Sequence, residues 1–233
     1  MSNQKYEQAG VAMTCRSFAE YEQMFNFELA ELQDTAILDV AGGASSFVAE
    51  ACARGIQARA VDPLYELDPE SIYTYGLKEI ETSTEKIARL ESSFDWSYYG
   101  NLGNHRKSRE QSLARFIDDY RNQRETGRYI SALLPQLPYE AGTFSLVVCS
   151  HFLFLYHEQF DYEFHLRAVE ELLRVCRVGG QVQIYPLRTL HWDLYPHLEQ
   201  LIDALEQQGA KSVLLPSSLP FIPGSDQLLC ITK

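Results

Sequence analysis

The stretch from Thr35 to Tyr65 restricts the possible folds more than any other part of the chain. "TAILDV" (35–40) is a short, continuously apolar run, the pattern of a strand covered on both faces. A turn of small residues, "AGGASS" (41–46), leads into "SSFVAEACARG" (45–55), where Phe47, Val48, Ala51 and Cys52 share one helical face. Serines stand where they can cap that helix, and Gly55 stands where it can end it. "QARAVDPLY" (57–65) is a second strand that ends at Asp62, with Pro63 stopping the ladder. Strand, helix and strand in that order form a crossover unit, which is almost always right-handed.

The alternation continues. Strand-like runs recur at "GRYISAL" (127–133), "FSLVVCS" (144–150) and "GQVQIYP" (180–186). "FDYEFHLRAVEELLRVCRVGG" (160–180) reads as a helix closed by a double glycine, and "YPHLEQLIDALEQQGA" (195–210) as another helix. "KSVLLPS" and "DQLLCITK" add two terminal strands joined by a turn containing "PGSD". Such a pattern predicts a doubly wound sheet with helices on both faces. Ahead of it, residues 1–34 read as helical, with Phe18, Tyr21, Phe25 and Leu29 at three- and four-residue spacings. The segment 63–127 interrupts the rhythm, since connections in such units usually take only about 2–6 residues. Leu113, Phe116, Ile117 and Tyr120 recur there at helical spacing. Two readings stand: a helical insertion covering the carboxyl edge of the sheet, or a helix hairpin packed on one side for stability.

Composition narrows the function. With 20 Lys and Arg against 32 Asp and Glu, the formal net charge is −12, which disfavours nucleic acid as the main partner. The dense basic stretch "HRKSRE" (105–110) is soon followed by acidic residues. Five cysteines, at 15, 52, 149, 176 and 230, include no C-x-x-C pair, so neither a disulfide framework nor a zinc site is expected. The polar start "MSNQKYEQAG" and the absence of a membrane-length apolar run predict a soluble, cytoplasmic protein with no membrane partner. Oligomeric state is not legible.

The turn at 41–46 excludes a dinucleotide loop. A pyrophosphate requires G-x-G-x-x-G, whereas only Gly42 and Gly43 are glycine here. "ILDVAGGASSF" instead resembles the first motif of class I S-adenosylmethionine-dependent methyltransferases, hh(D/E)xGxGxG. Asp39 takes the acidic position and Gly43 the central glycine, while Ala41 and Ser45 replace the outer two. A small side chain suffices where φ stays negative. Asp62 follows Asp39 at about the spacing, some 20 residues, at which dinucleotide folds place a ribose-binding acid. It is read as a ribose ligand or as the cap of the turn before Pro63. "LPYEAGTFSLVVCSHFLFLY" and "VEELLRVCRVGGQVQIYP" resemble the family's passages around its fourth and fifth strands.

The resemblance spans about residues 35–190 and implies a mostly parallel seven-stranded Rossmann-like sheet over 35–233, with an antiparallel terminal strand. It implies S-adenosylmethionine as cofactor, S-adenosylhomocysteine as product and an unidentified, small-molecule methyl acceptor. Asp39, Ala41, Gly42, Gly43 and Ser45 would lie along the methionine moiety, with Asp62, Pro63 and Leu64 near ribose and adenine. Many members place an Asp after the third strand; "SALLPQLPY" has none, so Ala132 or Leu133 would offer only backbone. Ser150 and His151 would border the transferred methyl group, and Arg16 and Tyr21 would fold over the cofactor carboxylate. For Arg16 a surface ion pair, and for Tyr21 core packing, are the structural alternatives.

His151 is the candidate base for an oxygen or nitrogen acceptor, with buried structural histidine as its other reading; His157, Tyr156 and His191 are further candidates from neighbouring loops. A non-catalytic, cofactor-binding sensor or scaffold of the same fold is the competing function, motivated by the two replaced glycines and the missing adenine carboxylate. A nicotinamide oxidoreductase is disfavoured by the absent G-x-G-x-x-G.

Overall fold

The computed structural model describes residue 8 and residues 10–233. Seven strands form one sheet: β1 Ala36–Val40, β2 Gln57–Val61, β3 Tyr129–Ile130, β4 Phe144–Ser150, β5 Cys176–Tyr185, β6 Lys211–Pro216 and β7 Gln227–Thr232. Their order is β3-β2-β1-β4-β5-β7-β6. Strands β1 to β5 pair in parallel, whereas β7 runs antiparallel to both β5 and β6. The strand order reverses between β1 and β4, which is where an open α/β sheet leaves a crevice at its carboxyl edge.

Side-chain alternation explains why both faces are covered. Ile37, Leu146, Val148, Leu228 and Cys230 face one core, and Leu38, Val40, Val147, Cys149, Leu229 and Ile231 face the other. Helices α1 (Phe18–Phe25), α2 (Phe47–Ala53), α3 (Pro69–Arg89) and α4 (Leu102–Gln123) supply the first core, and α5 (Tyr162–Val175) and α6 (Leu198–Gln207) the second. Local chemistry sets the helix starts: Ser17 and Glu20 make a capping box on α1, and Asp68 caps α3 ahead of Pro69. Asn101 and Asp161 cap α4 and α5. All five cysteines are free. Among the described residues no helix is long and apolar enough to cross a membrane.

Four expectations are corrected. The leading segment is not helical throughout: α1 covers Phe18–Phe25, a 3-10 turn covers Leu29–Leu32, and residues 10–17 run without regular structure. The reason is competition for backbone partners, since the carbonyls of Thr14 and Arg16 accept from Ala44 and Ser46 of the β1–α2 turn (3.0 Å each). Residues 1–7 and 9 of that segment lie outside the described residues. The double glycine does not close α5, which ends at Val175; Gly179 and Gly180 lie inside β5. A Cβ at Gly180 would come within 2.7 Å of Cys176 Sγ and 2.8 Å of the Ser145 carbonyl, so glycine permits the irregular register there between β4 and β5.

The third correction concerns β3, which is two residues long because the chain turns at Leu133–Gln136, where Pro135 supplies no donor. The fourth concerns α2. Ser46 is its N-cap but makes no side-chain cap bond; its hydroxyl donates to Glu50 (2.7 Å) instead.

Helices α3 and α4 make up most of segment 63–127 and pack on each other, and α4 packs on α2. Ser112 on α4 bonds both the Ser46 hydroxyl (3.0 Å) and the Ser46 N–H (3.1 Å). At the other end Tyr120 donates to the carbonyls of Tyr65 and Leu67, inside a ring cluster with Phe116 and Tyr129. Gly76 lets α3 approach α4: a Cβ there would lie 2.8 Å from both Leu113 methyls and 2.9 Å from Met13 Cε. Gly76→Val is therefore expected to destabilise the protein by about 1–3 kcal/mol, the cost of overpacking. Urea unfolding checks this, and an unchanged midpoint would mean that the helix pair has room to spare.

Candidate active site

The β1–α2 turn sits at the carboxyl edge of the sheet. Asp39, on β1, points into the first core and is 1% exposed. Its carboxyl accepts the Tyr21 hydroxyl at 3.0–3.1 Å, and the Tyr21 ring stacks on Phe47 with centroids 4.1 Å apart. Burial raises the Asp39 carboxyl well above its ordinary range; the Tyr21 hydrogen bond opposes this and the nearby Asp62 charge adds to it. Gly42 leaves space for this pair, because a Cβ there would be 2.9 Å from Asp39 Oδ2 and 3.0 Å from the Tyr65 hydroxyl.

Ala41 and Gly43 both have positive φ, +57° and +56°. The condition under which a small side chain suffices, a negative φ, is thus not met at Ala41: the turn retains a left-handed geometry at the first glycine position and strains an alanine to do so. At Gly43 a Cβ would also strike the Thr14 carbonyl at 2.9 Å.

Residues 11–16 lie against this turn as a strap. Ala44 N–H donates to Thr14 O (3.0 Å), Arg16 N–H to Ser45 Oγ (3.1 Å) and Ser46 N–H to Arg16 O (3.0 Å). Asp62, at the end of β2, ties the two strand ends together. Its Oδ2 accepts the Gly43 N–H (3.0 Å), and its Oδ1 accepts the Leu64 N–H (2.9 Å), capping the 3-10 turn Pro63–Glu66. Burial raises this carboxyl, against the pull of the two N–H donors.

Above the turn is a cavity of about 400 Å³ with mainly apolar walls, within the size range of small-ligand sites. Ala41, Gly43, Asp62, Pro63, Leu64, Ala132, Leu133 and His151 all line it. Asp39, Gly42, Ser45, Ser150 and Tyr21 lie beneath or behind its walls, and Arg16 faces a second cavity. That second cavity, of about 120 Å³, shares Ala12, Met13, Thr14 and His151 with the first. Its other walls are largely apolar, and α3 and α4 contribute Ile80, Ser83, Ile87, His105 and Arg109. Tyr156 lines it as well, and its hydroxyl accepts the Ala12 N–H (2.9 Å). His157 and His191 line neither cavity; His191 stands 3.3 Å from Glu158.

His151 occupies the junction. Its backbone is left-handed (φ +54°), and its N–H donates to Tyr185 O (2.7 Å), which fixes the residue just past β4. Nδ1 lies 2.8 Å from Ser150 Oγ, and that hydroxyl donates to Met24 Sδ (3.6 Å). In the tautomer whose Nδ1–H donates to Ser150, the lone pair is left on Nε2, which has no partner among the described residues. Burial, helped by the charges of Arg16 and Arg109, holds the ring well below 6.5 and hence neutral.

Sequence reasoning missed a buried charged cluster beside the second cavity. Glu20 is 0% exposed and pairs with Arg109 and, at 3.4 Å, with Arg16. Arg109 also donates to Cys15 O (2.9 Å) and to Tyr99 Oη (2.8 Å), and stands 3.3 Å from His105 Nε2. Burial alone would raise the Glu20 carboxyl, but the two arginines, with the Ser17 N–H and Tyr99 hydroxyl, outweigh it and hold the group at about 2. Burial and the same arginines push His105 down to about 2. The only signal in the sequence was the capping box Ser17–Glu20; nothing linked it to "HRKSRE", whose His105 and Arg109 turn inward while Arg106 pairs with Glu110 on the surface. Arg16 is thus a buried partner of Glu20 and not a surface ion pair. Among the described residues no group of His, Cys, Asp and Glu gathers as a metal site.

No protein-family model matches the chain. An uncharacterized protein of Methanocaldococcus jannaschii is 29% identical over 219 residues, 94% of each chain. The structure is similar to that of a TehB-like S-adenosylmethionine-dependent methyltransferase from Corynebacterium glutamicum, with 16% identity, a TM-score of 0.45 and coverage of 88% of this chain and 85% of that one. It is also similar to that of a methyltransferase from Aquifex aeolicus dependent on the same cofactor, with 12% identity, a TM-score of 0.43 and coverage of 91% and 90%.

Glu20→Gln keeps the shape of the cluster but leaves two guanidiniums without a counter-charge, and is expected to cost about 3–5 kcal/mol at pH 7. The folded carboxyl titrates lower than the ordinary 4.5, so its contribution is complete above that value and is lost as pH falls toward about 2. Urea titrations from pH 7 to pH 2 should show the gap between wild type and variant narrowing in that window; a gap independent of pH would contradict an ionised Glu20. Ala41→Gly should stabilise by about 1 kcal/mol by relieving the left-handed alanine. A lowered thermal midpoint for that variant would refute the strain.

Proposed function

We propose that the chain is an S-adenosylmethionine-dependent methyltransferase acting on a small-molecule acceptor. One observation carries this reading: the Asp62 carboxylate is clamped to the glycine turn by the Gly43 N–H (3.0 Å) and lines a cavity of about 400 Å³ at the switch point of the sheet. The mostly parallel seven-stranded sheet and the antiparallel β7 support it, being the arrangement that the sequence resemblance implies.

The residues present suit the cofactor. Each Asp62 oxygen accepts one backbone N–H and keeps a lone pair for a ribose hydroxyl. Pro63, Leu64, Ala132 and Leu133 offer an apolar slot for adenine, and Ala41 and Gly43 leave the methionine end room that a larger side chain would fill. When bound, the cofactor supplies an activated methyl group on a sulfonium.

The chain's own part is then mainly positioning. Residues 12–14 and His151 separate the two cavities and hold an acceptor in the smaller one against the donor in the larger. Packing of the α3–α4 hairpin and the strap around the smaller cavity keeps water out, which makes 63–127 a substrate cap. His151 Nε2, neutral and unpartnered at the junction, receives the acceptor's proton where one must leave. Asp39 and Tyr21 act at one remove, keeping the turn in shape from below.

A second reading has its own observation. The strap takes the N–H groups of Ala44 and Ser46, donors that a cofactor carboxylate would otherwise meet at the start of α2, as in a protein that binds without transferring. Calorimetric titration with S-adenosylmethionine and S-adenosylhomocysteine tests both. Micromolar binding of either supports a cofactor site, and binding without turnover on an acceptor panel leaves only the sensor or scaffold. No heat at concentrations able to detect ~0.1 mM affinity would reject both. Asp62→Asn should weaken S-adenosylhomocysteine by about 1.5–3 kcal/mol, the scale of hydrogen bonds to a charged group; an unchanged affinity would mean the ribose lies elsewhere.

A further inference from the structure

The smaller cavity has an unusual electrostatic composition. Its walls are aromatic and aliphatic, including Phe94, Trp192, Phe221 and Leu155, and among the described residues no carboxylate lines it. Its charged wall residues are Arg16 and Arg109. Behind the wall, Glu20 is the one carboxylate paired with them among the described residues, so two guanidiniums share one negative charge there. His105 and His151, also in the wall, are both neutral. One positive charge is left over in a buried, low-dielectric setting, where an uncompensated charge is costly.

Two hydrogen-bond donors at the same wall are also unsatisfied. Arg16 is 7% exposed, and its Nε–H has no partner. His105 is 4% exposed; because Arg109 Nη2 can only donate, His105 Nε2 accepts and the ring proton sits on Nδ1, which likewise has no partner. Buried donors are nearly always paired, so two unpaired donors on two residues of one cavity wall mark a place where an acceptor of hydrogen bonds would be accommodated.

We propose that the methyl acceptor is a small carboxylate, with its anionic end against Arg16 and His105 and a ring-sized apolar body among the aromatic walls. This rests on the methyltransferase reading for the word acceptor, but the anion site stands on its own geometry. A volume of about 120 Å³ is close to that of cavities known to hold a single benzene ring, about 150 Å³. A single surplus charge suits a monoanion; a phosphate dianion would reverse the imbalance. The planar guanidinium of Arg16 matches a carboxylate. A hydroxyl or amine on the far side of such a body would point toward His151, which the two cavities share. The bound anion would also offset the arginine charges that depress His151, making that ring a better base when the acceptor is in place.

The test is calorimetric titration of the intact protein, with and without saturating S-adenosylhomocysteine, using benzoate, its neutral counterpart benzamide, and phenyl phosphate. Benzoate should bind at least ten-fold tighter than benzamide and tighter than phenyl phosphate. Arg16→Gln should remove that preference and Arg16→Lys should restore part of it, each variant being checked for an unfolding midpoint close to wild type. The comparison of the three probes on the unaltered protein decides the matter even where a variant fails to fold. Equal affinity for benzoate and benzamide, no binding of either in a protein that binds S-adenosylhomocysteine, or a benzoate preference untouched in Arg16→Gln would overturn the proposal. A stronger response to phenyl phosphate would overturn the monoanion assignment. A benzoate preference in a protein that never binds S-adenosylhomocysteine would keep the anion site and reject the methyltransferase reading.

Discussion

The Glu20 carboxylate, wholly buried and paired with Arg16 and Arg109, joins three parts of the chain that are distant in sequence. Arg16 belongs to the strap, Glu20 to the first turn of α1 and Arg109 to α4. Through Arg109 the carboxylate also organises Tyr99 and His105, and through the capping box it starts α1. This ion cluster ties the strap to the hairpin above the carboxyl edge, with Arg109 also donating to the strap carbonyl of Cys15. The desolvation cost of such a group is repaid only when partners surround it closely, and that requirement fixes where the leading segment lies.

From that anchor the site follows in sequence. The strap is pressed onto the β1–α2 turn, where Gly43 has no Cβ to strike Thr14 and where Ala44 and Ser46 donate to strap carbonyls. The turn in turn is fastened to the end of β2 by Asp62. The strap thus forms part of the wall of both cavities, and His151, held in a left-handed conformation past β4, completes the divide. Two cavities that meet at one neutral imidazole are the layout on which the proposed group transfer rests, because their shared wall sets the positions of whatever groups occupy them.

Much of the architecture was legible because burial imposes simple periodicities. Continuous apolar runs marked β1 and β4, a helical face marked α2, and the strand-end acid marked Asp62. The turn chemistry was legible only in part. Replacement of the first glycine by Ala41 left the backbone there undecided, and the tertiary setting keeps φ at +57°. The double glycine looked like a helix stop, but close approach of Cys176 and the Ser145 carbonyl explains it as a place inside β5 where a side chain has no room. Asp39 and Tyr21, both assigned by resemblance to the cofactor, are bonded to each other below the turn, a pairing no local pattern signalled.

By itself, the sequence determined the order of strands and helices, the doubly wound class and the exclusion of a pyrophosphate loop. Those properties depend on residues near one another in the chain, and periodicity and turn composition report them directly. Only the tertiary structure decided that residues 11–16 form a strap, that His105 and Arg109 turn inward from a stretch that reads as a basic surface, and that Arg16 and Arg109 share the buried Glu20 carboxylate. Each of these arises from a contact between segments far apart in sequence, Glu20 with Arg109 or Thr14 with Ala44. No local pattern encodes such a contact, because the energy that selects it is the cost of leaving a buried charge or backbone group without its partner.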